Sequence, residues 1–148
     1  MSEPAVHMQR VHFVVHDLDR ALQFYRDILG FEVAHVEDVP ADSYSYSVLE
    51  VHRNATLRVA TLSAPGQPRI LALTEIKGVT LKHCPDPKRS AIVVEVADFD
   101  DVVRRSVGWG LVAHPERRLH THDGRAGREQ GIVDHDGNLV VVYTITAS

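Results

Sequence analysis

The run Val11 to Val33 holds a strand, a capped helix, a glycine stop and a second strand, and a weaker copy of it follows 81 residues later. Val11-His12-Phe13-Val14-Val15 is a short apolar run of strand character, and Phe31-Glu32-Val33 opens the next one. Between them, Asp17 or Asp19 can cap a helix, because a carboxylate accepts from the free N–H groups of a first turn. Ala21, Leu22, Tyr25, Ile28 and Leu29 fall on one face of that helix, and Gly30 supplies its left-handed stop. At the offset, Val15-His16-Asp17-Leu18-Asp19-Arg20-Ala21-Leu22 lies over Val96-Ala97-Asp98-Phe99-Asp100-Asp101-Val102-Val103. Two copies of a strand-helix-strand-strand-strand unit account for the whole length, and each is too small to bury its sheet face alone.

The rest of the chain fits that frame. Strands are expected over Phe31–Val39, Ala55–Leu62 and Arg69–Ile76, the last two joined by the turn-rich Ser63-Ala64-Pro65-Gly66-Gln67-Pro68. Asp42–Val51 reads as a short helix or turn. The second copy has a strand at Ala91–Ala97, a helix from Asp98 to about Val107 and a short strand at Leu111–Ala113. Glu116–Gly127 reads as a long polar loop, and Arg128–Val133 with Leu139–Ile145 as a closing hairpin about Asp134-His135-Asp136-Gly137-Asn138. The expected organisation is one domain over 1–148, with a first module at 8–81, a linker at 82–90 and a second module at 91–146.

Composition narrows the function classes. A net charge of −4, with Lys and Arg scattered rather than clustered, argues against a nucleic-acid surface. No 18-residue apolar span is present, so no membrane association is expected. Cys84 is the single cysteine, which excludes an internal disulfide and a Cys-rich zinc site. With no apolar leader at the start, the expected location is cytoplasmic.

The pattern D-L-D-x-A-L-x-F-Y-x-x-x-L-G-F from Asp17 to Phe31 resembles the vicinal oxygen chelate superfamily, which groups glyoxalase I, extradiol dioxygenases, fosfomycin-modifying enzymes and bleomycin-resistance proteins. Leu62-Ser63-Ala64-Pro65-Gly66 and the D-x-D-G-N of Asp134–Asn138 resemble it as well, and the likeness runs from about Gln9 to Thr144. It implies an α+β fold of two βαβββ modules forming a curved half-open barrel around a cleft, often in a homodimer. It also implies where a metal would be held: a His seven residues before the helix-opening Asp, its counterpart in the second module, and a Glu in each module's last strand. Those positions are Arg10, Ala91, Ala72 and Val141. None offers an imidazole, carboxylate or thiolate, so the expected metal and cofactor content is none.

Residues two apart on a strand share a face. His12 is therefore expected beside Arg10, Thr74 beside Ala72, Glu95 beside Ala91 and Tyr143 beside Val141, and these polar residues are the candidate ligand-binding set: Arg10, His12, Thr74, Glu95 and Tyr143. His12 and Glu95 together are a rebuilt metal site or an acid–base pair on one reading, and ordinary polar neighbours on the other. Tyr44, Tyr46 and Trp109 are either aromatic walls or core. His120-Thr121-His122 reads as solvated surface, Asp134–Asn138 as a hairpin turn without the distal Glu of a calcium loop, and Cys84 as inert. The function expected first is a metal-free, bleomycin-resistance-like protein holding a small organic ligand, anionic or aromatic, with Arg10 as the main recognition group. A metal-independent isomerase, lyase or oxygenase using Arg10 with His12 or Glu95 stands second. A metal-dependent dioxygenase or glyoxalase stands third, if the register of the four positions is misread.

Overall fold

The computed structural model describes residues 5–147. The architecture is α+β, with two open sheets of the same strand order. The first runs β1 (Val11–Val15), β4 (Gln67–Lys77), β3 (Thr56–Ala64), β2 (Glu32–Asp38). The second runs β5 (Ala91–Glu95), β9 (Leu139–Ala147), β8 (Ala126–Val133), β6 (Val112–Ala113). In both, the first strand lies parallel to the last and every other neighbour is antiparallel. The 81-residue repeat is thus a repeat of topology, and both sheets follow the expected βαβββ order.

By internal contacts the chain forms two compact units, Met1–Leu18 with Phe31–Val79 and Asp19–Gly30 with Thr80–Ser148. The helical segment after β1 groups, from Asp19 onward, with the second unit.

In the first unit, alternation along the strands sends Phe13, Val15, Ala60, Leu62, Leu71 and Leu73 to a buried face. Glu75 is buried on that face too, where its Oε2 accepts from the Leu18 amide at 2.7 Å and pairs with Arg58 at 3.3 Å. A strand carboxylate thereby receives one of the unsatisfied N–H groups at a helix start. The segment expected as a short helix or turn is the helix α2 (Tyr44–Val48), with Ser43 as its N-cap. Its Tyr46 packs with Ala55, Leu57 and Ile76, and Val14, Val39, Leu49 and Val51 join them in a small second core.

In the second unit, the helix α1 (Leu18–Leu22) widens into a π-helical stretch at Gln23–Ile28, closed by the Leu29 amide on the Phe24 carbonyl at 2.9 Å. Phe24 and Tyr25 are both fully buried there. The Tyr25 hydroxyl donates to Asp134 Oδ2 at 2.7 Å, and Asp134 Oδ1 accepts from the amides of Asp136 and Asn138. The D-x-D-G-N hairpin is therefore a buried turn tied to a helix. Its carboxylate raises the Tyr25 pKa further, after burial, the larger cause.

The helix α3 (Phe99–Gly108) starts at Asp98, whose side chain accepts from the Asp101 amide, and buries Phe99, Val102 and Ser106. Two expectations need correction here. The polar loop expected at Glu116–Gly127 contains the strand β7 (Arg117–His120), which pairs with β8 and satisfies its backbone there despite a sequence of Arg, Arg, Leu and His. Residues 82–90, read as a linker, are fastened to the second unit: the Cys84 amide donates to the Asp136 carbonyl at 2.9 Å, and Lys88 Nζ to the Cys84 carbonyl at 2.7 Å.

Candidate functional site

The unburied face of the first sheet carries a cavity of about 590 Å³. Its floor is one row across four strands, His12 beside Ala72, Ala72 beside Thr61 and Thr61 beside His35. Val59 and Glu37 lie one row further on, Ser45, Val48 and Leu49 wall the cavity from α2 and its end, and Arg10 and Arg69 stand at the opposite edge. The small core under α2 explains why the cavity ends where it does. Leu57, Ile76, Val14 and Val39 belong to the same sheet face, and α2 has covered them.

The His12 Nε2 lies 2.5 Å from Thr74 Oγ1, diagonally across β1 and β4, where Ala72 is the residue opposite His12. The ring is reachable from the cavity, yet the protein around it displaces enough water to lower its pKa below 6.5. His35 and Glu37, two apart on β2, pair with each other at 3.2 Å. The Arg10 Nε donates to the Arg69 carbonyl at 3.4 Å, which leaves the terminal nitrogens of its fork. Among the described residues, neither Arg10 nor Arg69 has an acidic partner. Glu37, the carboxylate of the cavity lining, is held by His35 on β2, and the wall at the unpaired Arg10 and Arg69 is cationic.

Of the residues expected at a site, Arg10, His12 and Thr74 come together here, the first two lining the cavity and the third bonded to His12. Glu95 and Tyr143 are neighbours of each other on the second sheet, in register across β5 and β9. The aromatic residues considered as walls have other places. Tyr46 is core, its hydroxyl donating to the Ala55 carbonyl at 2.9 Å, Tyr44 is exposed, and Trp109 meets His135 edge-on. His120 ends β7, and both His120 and His122 are exposed.

Sequence reasoning missed Arg69, His35, Glu37 and Thr61. The alternation rule applied to β2 and β3 finds the last three, since each is an even number of residues from another lining residue on its strand. Arg69 follows no such rule.

A divalent metal does not fit this cavity. By the register that the family resemblance implies, Arg10 and Ala72 stand where the first module would supply ligands, and a guanidinium repels a cation. His12 and His35 are three strand spacings apart, about 14 Å between backbones, too far for two imidazoles to share an ion. Among the described residues, no three His, Cys, Asp or Glu side chains group as a metal would require.

Comparison with known proteins places the fold. A family model described as the glyoxalase/bleomycin resistance protein/dioxygenase superfamily matches residues 7–142. No curated protein matches the chain. Solved structures of similar fold include a glyoxalase family protein from Bacillus cereus, with a TM-score of 0.76 at 17% identity, covering 98% of this chain and 97% of that one. Another is the trypanothione-dependent glyoxalase I of Leishmania major, with a TM-score of 0.63 at 24% identity over 95% and 87% of the two chains. A third is the fosfomycin resistance protein FosX of Listeria monocytogenes, complexed with Mn(II) and sulfate, with a TM-score of 0.61 at 14% identity over 95% and 93%. These likenesses concern the fold.

Proposed function

Since the chain belongs to the glyoxalase/bleomycin resistance protein/dioxygenase superfamily, we propose that it is a metal-free member that binds a small organic anion in the cavity of its first sheet. The observation that carries this reading is the pair of arginines without acidic partners, among the described residues, on one wall of a cavity with no metal-ligating group of three. A volume of about 590 Å³ lies in the range of small-molecule sites. Charge-assisted hydrogen bonds from a guanidinium fork to a carboxylate or phosphate are the strongest contacts available to such a ligand. Val48, Leu49 and Val59 offer apolar surface for its carbon frame.

A second reading, a metal-independent enzyme, has one observation in its favour. Burial lowers the His12 pKa and so favours its neutral form, at the floor of the same cavity and on the same strand face as Arg10. A neutral imidazole can accept a proton from a bound ligand while the guanidinium stabilises the oxyanion that results.

The test is a thermal-shift screen of small carboxylates and organic phosphates, followed by calorimetry on each hit with the wild type and Arg10→Ala. Loss of a charge-assisted contact should weaken binding about tenfold or more. Hits bound equally by Arg10→Ala would remove the cavity from consideration. Mass spectrometry of each hit after incubation separates binder from enzyme, and stoichiometric transition metal in protein purified without chelator would overturn the metal-free reading.

A further inference from the structure

The hairpin between β3 and β4 is irregular at one place. Leu62 pairs with Leu71 and Ala64 with Gln67, so Ser63 alone faces Pro68, Arg69 and Ile70. In this bulge Arg69 takes a left-handed backbone, φ 54°. Such bulges commonly put glycine at the left-handed position, because a side chain there is strained. Among the described residues Glu50, at φ 56°, is the other non-glycine with positive φ. Glu50 directly follows the C-cap of α2, the ordinary place for a left-handed residue. Arg69 has no such excuse.

The bulge is also fastened on both sides. The Arg69 amide donates to Ser63 Oγ at 2.8 Å, and its carbonyl accepts from Arg10 Nε at 3.4 Å. The strained residue therefore does two things at once. Its backbone accepts from Arg10, and the residue joins Arg10 in lining the cavity. A glycine could do the first without strain. The second takes a side chain.

We infer that Arg69 is a second anion-recognition residue, and that Arg10 and Arg69 form a clamp selecting a doubly charged oxyanion head group over a single carboxylate. This rests on the reading of the cavity as an anion site. Neither guanidinium is paired with a carboxylate among the described residues, the cavity's Glu37 being held by His35 on β2, so two negative charges match the pair, and three oxygens on one centre can accept from both forks. A carboxylate satisfies one fork and leaves the other cation unmatched.

Calorimetry with methyl phosphate and with acetate, at pH 8 and fixed ionic strength, provides the test, since a phosphate monoester is a dianion well above about pH 6. In the wild type, methyl phosphate should bind at least about tenfold more tightly than acetate. Arg69→Gly should lower methyl phosphate affinity about tenfold and bring the two ligands close together, with a melting temperature equal to or above the wild type because the strain is relieved. A purely structural role predicts unchanged selectivity whatever the change in stability. Arg69→Asn, which tolerates the left-handed backbone, gives the same comparison should the glycine variant fold poorly, and Arg69→Lys should recover part of the phosphate preference. Undiminished methyl phosphate selectivity in Arg69→Gly and Arg69→Asn, with binding weakened in Arg10→Ala, overturns the clamp alone. Normal binding in Arg10→Ala overturns the site and the clamp with it.

Discussion

The two sheets share one strand order, yet the first carries a cavity of about 590 Å³ walled by two arginines and the second one of about 360 Å³ where Arg117 stands with Glu129, and the difference can be followed position by position. The floor of the cavity is the row His12, Ala72, Thr61, His35. The corresponding row of the second sheet is Val93, Val141, Gly131, His114, where Val93 pairs with Val141, Val141 with Gly131, and the His114 amide bonds to the Gly131 carbonyl at 2.8 Å. Arg10 corresponds to Ala91 at the offset of 81. In the second sheet the His114 ring lies against bare Gly131, 3.0 Å from where a Cβ would sit. In the first, Thr61 carries that Cβ, and His35 pairs with Glu37. The connections differ as well. Between β2 and β3 the chain inserts α2, which walls the face, whereas between β6 and β8 it lays down β7, which extends the sheet. Topology is held by the ladders, and the site is made by what the connections place over them.

The largest expected effect lies four residues along each sheet, where Leu57 of β3 corresponds to Gly127 of β8. Leu57 supports α2 from below. Gly127 has no room for even a methyl group, since a Cβ there would lie 2.1 Å from the Thr144 carbonyl oxygen. That obstacle is backbone and cannot rotate away. Gly127→Ala should therefore destabilise by about 3 kcal/mol or more, read from urea unfolding. A variant of wild-type stability would show that the two strands tolerate the same residue, and the comparison would fail at its base.

The first-sheet counterpart should be milder and should touch the site. Leu57→Ala removes the centre of the core under α2, at a cost of about 2–3 kcal/mol. Because α2 supplies Ser45, Val48 and Leu49 to the cavity, hydrogen exchange at the amides of 44–49 should accelerate and ligand affinity should fall together. If α2 amides keep wild-type protection, the helix does not depend on this core.

How much of this was legible in the sequence follows from the same comparison. The repeat and the sharing of strand faces are consequences of periodicity, and periodicity is written in the order of residues, while the α+β class came with the family resemblance. Arg10 was reached by counting back from Asp17 on the family resemblance, and His12 and Thr74 by the strand faces they share with Arg10 and Ala72. Arg69 was not, because a bulge breaks the period that would have pointed to it. The strand β7 escaped for a different reason. Arg117 and Arg118 have no apolar alternation, and β7 exists because β8 offers a row of backbone partners. Tyr46 was readable only as either wall or core, and the carbonyl of Ala55, nine residues away, decided it.

A smaller effect is expected on exchanging the middle of the two rows. Thr61→Gly recreates in the first sheet the gap that His114 fills in the second. It should cost about 1 kcal/mol from backbone entropy and lost strand preference. The larger consequence is for the site: with the Cβ gone, His35 can leave Glu37 and lie across the cavity floor, as His114 does over Gly131. Ligand affinity should then fall more than stability does. Equal small changes in both would mean that Thr61 contributes only as a strand residue.

The smallest effect is a dependence on pH that the first sheet has and the second lacks at this position, because His12 corresponds to Val93. Burial lowers the folded-state pKa of His12 below 6.5, so below pH 6.5 the unfolded chain binds more protons at this residue than the folded one. The contribution of neutral His12 is fully present above pH 6.5 and is lost as pH falls through the folded-state value. Burial lowers His135 in the same direction, so the wild-type profile alone cannot assign the slope. Subtracting the profile of His12→Val removes the His135 part, which both proteins share, and leaving Thr74 without its imidazole partner adds a nearly constant offset. Urea unfolding from pH 8 to pH 5 should give a wild-type-minus-variant difference that is level above pH 6.5 and declines below it. A difference that stays level or rises on acidification would mean that the ring is not desolvated at the cavity floor. A bound anion should reverse part of this trend, since a negative charge beside the ring favours its protonated form, and the decline should then shrink in saturating ligand.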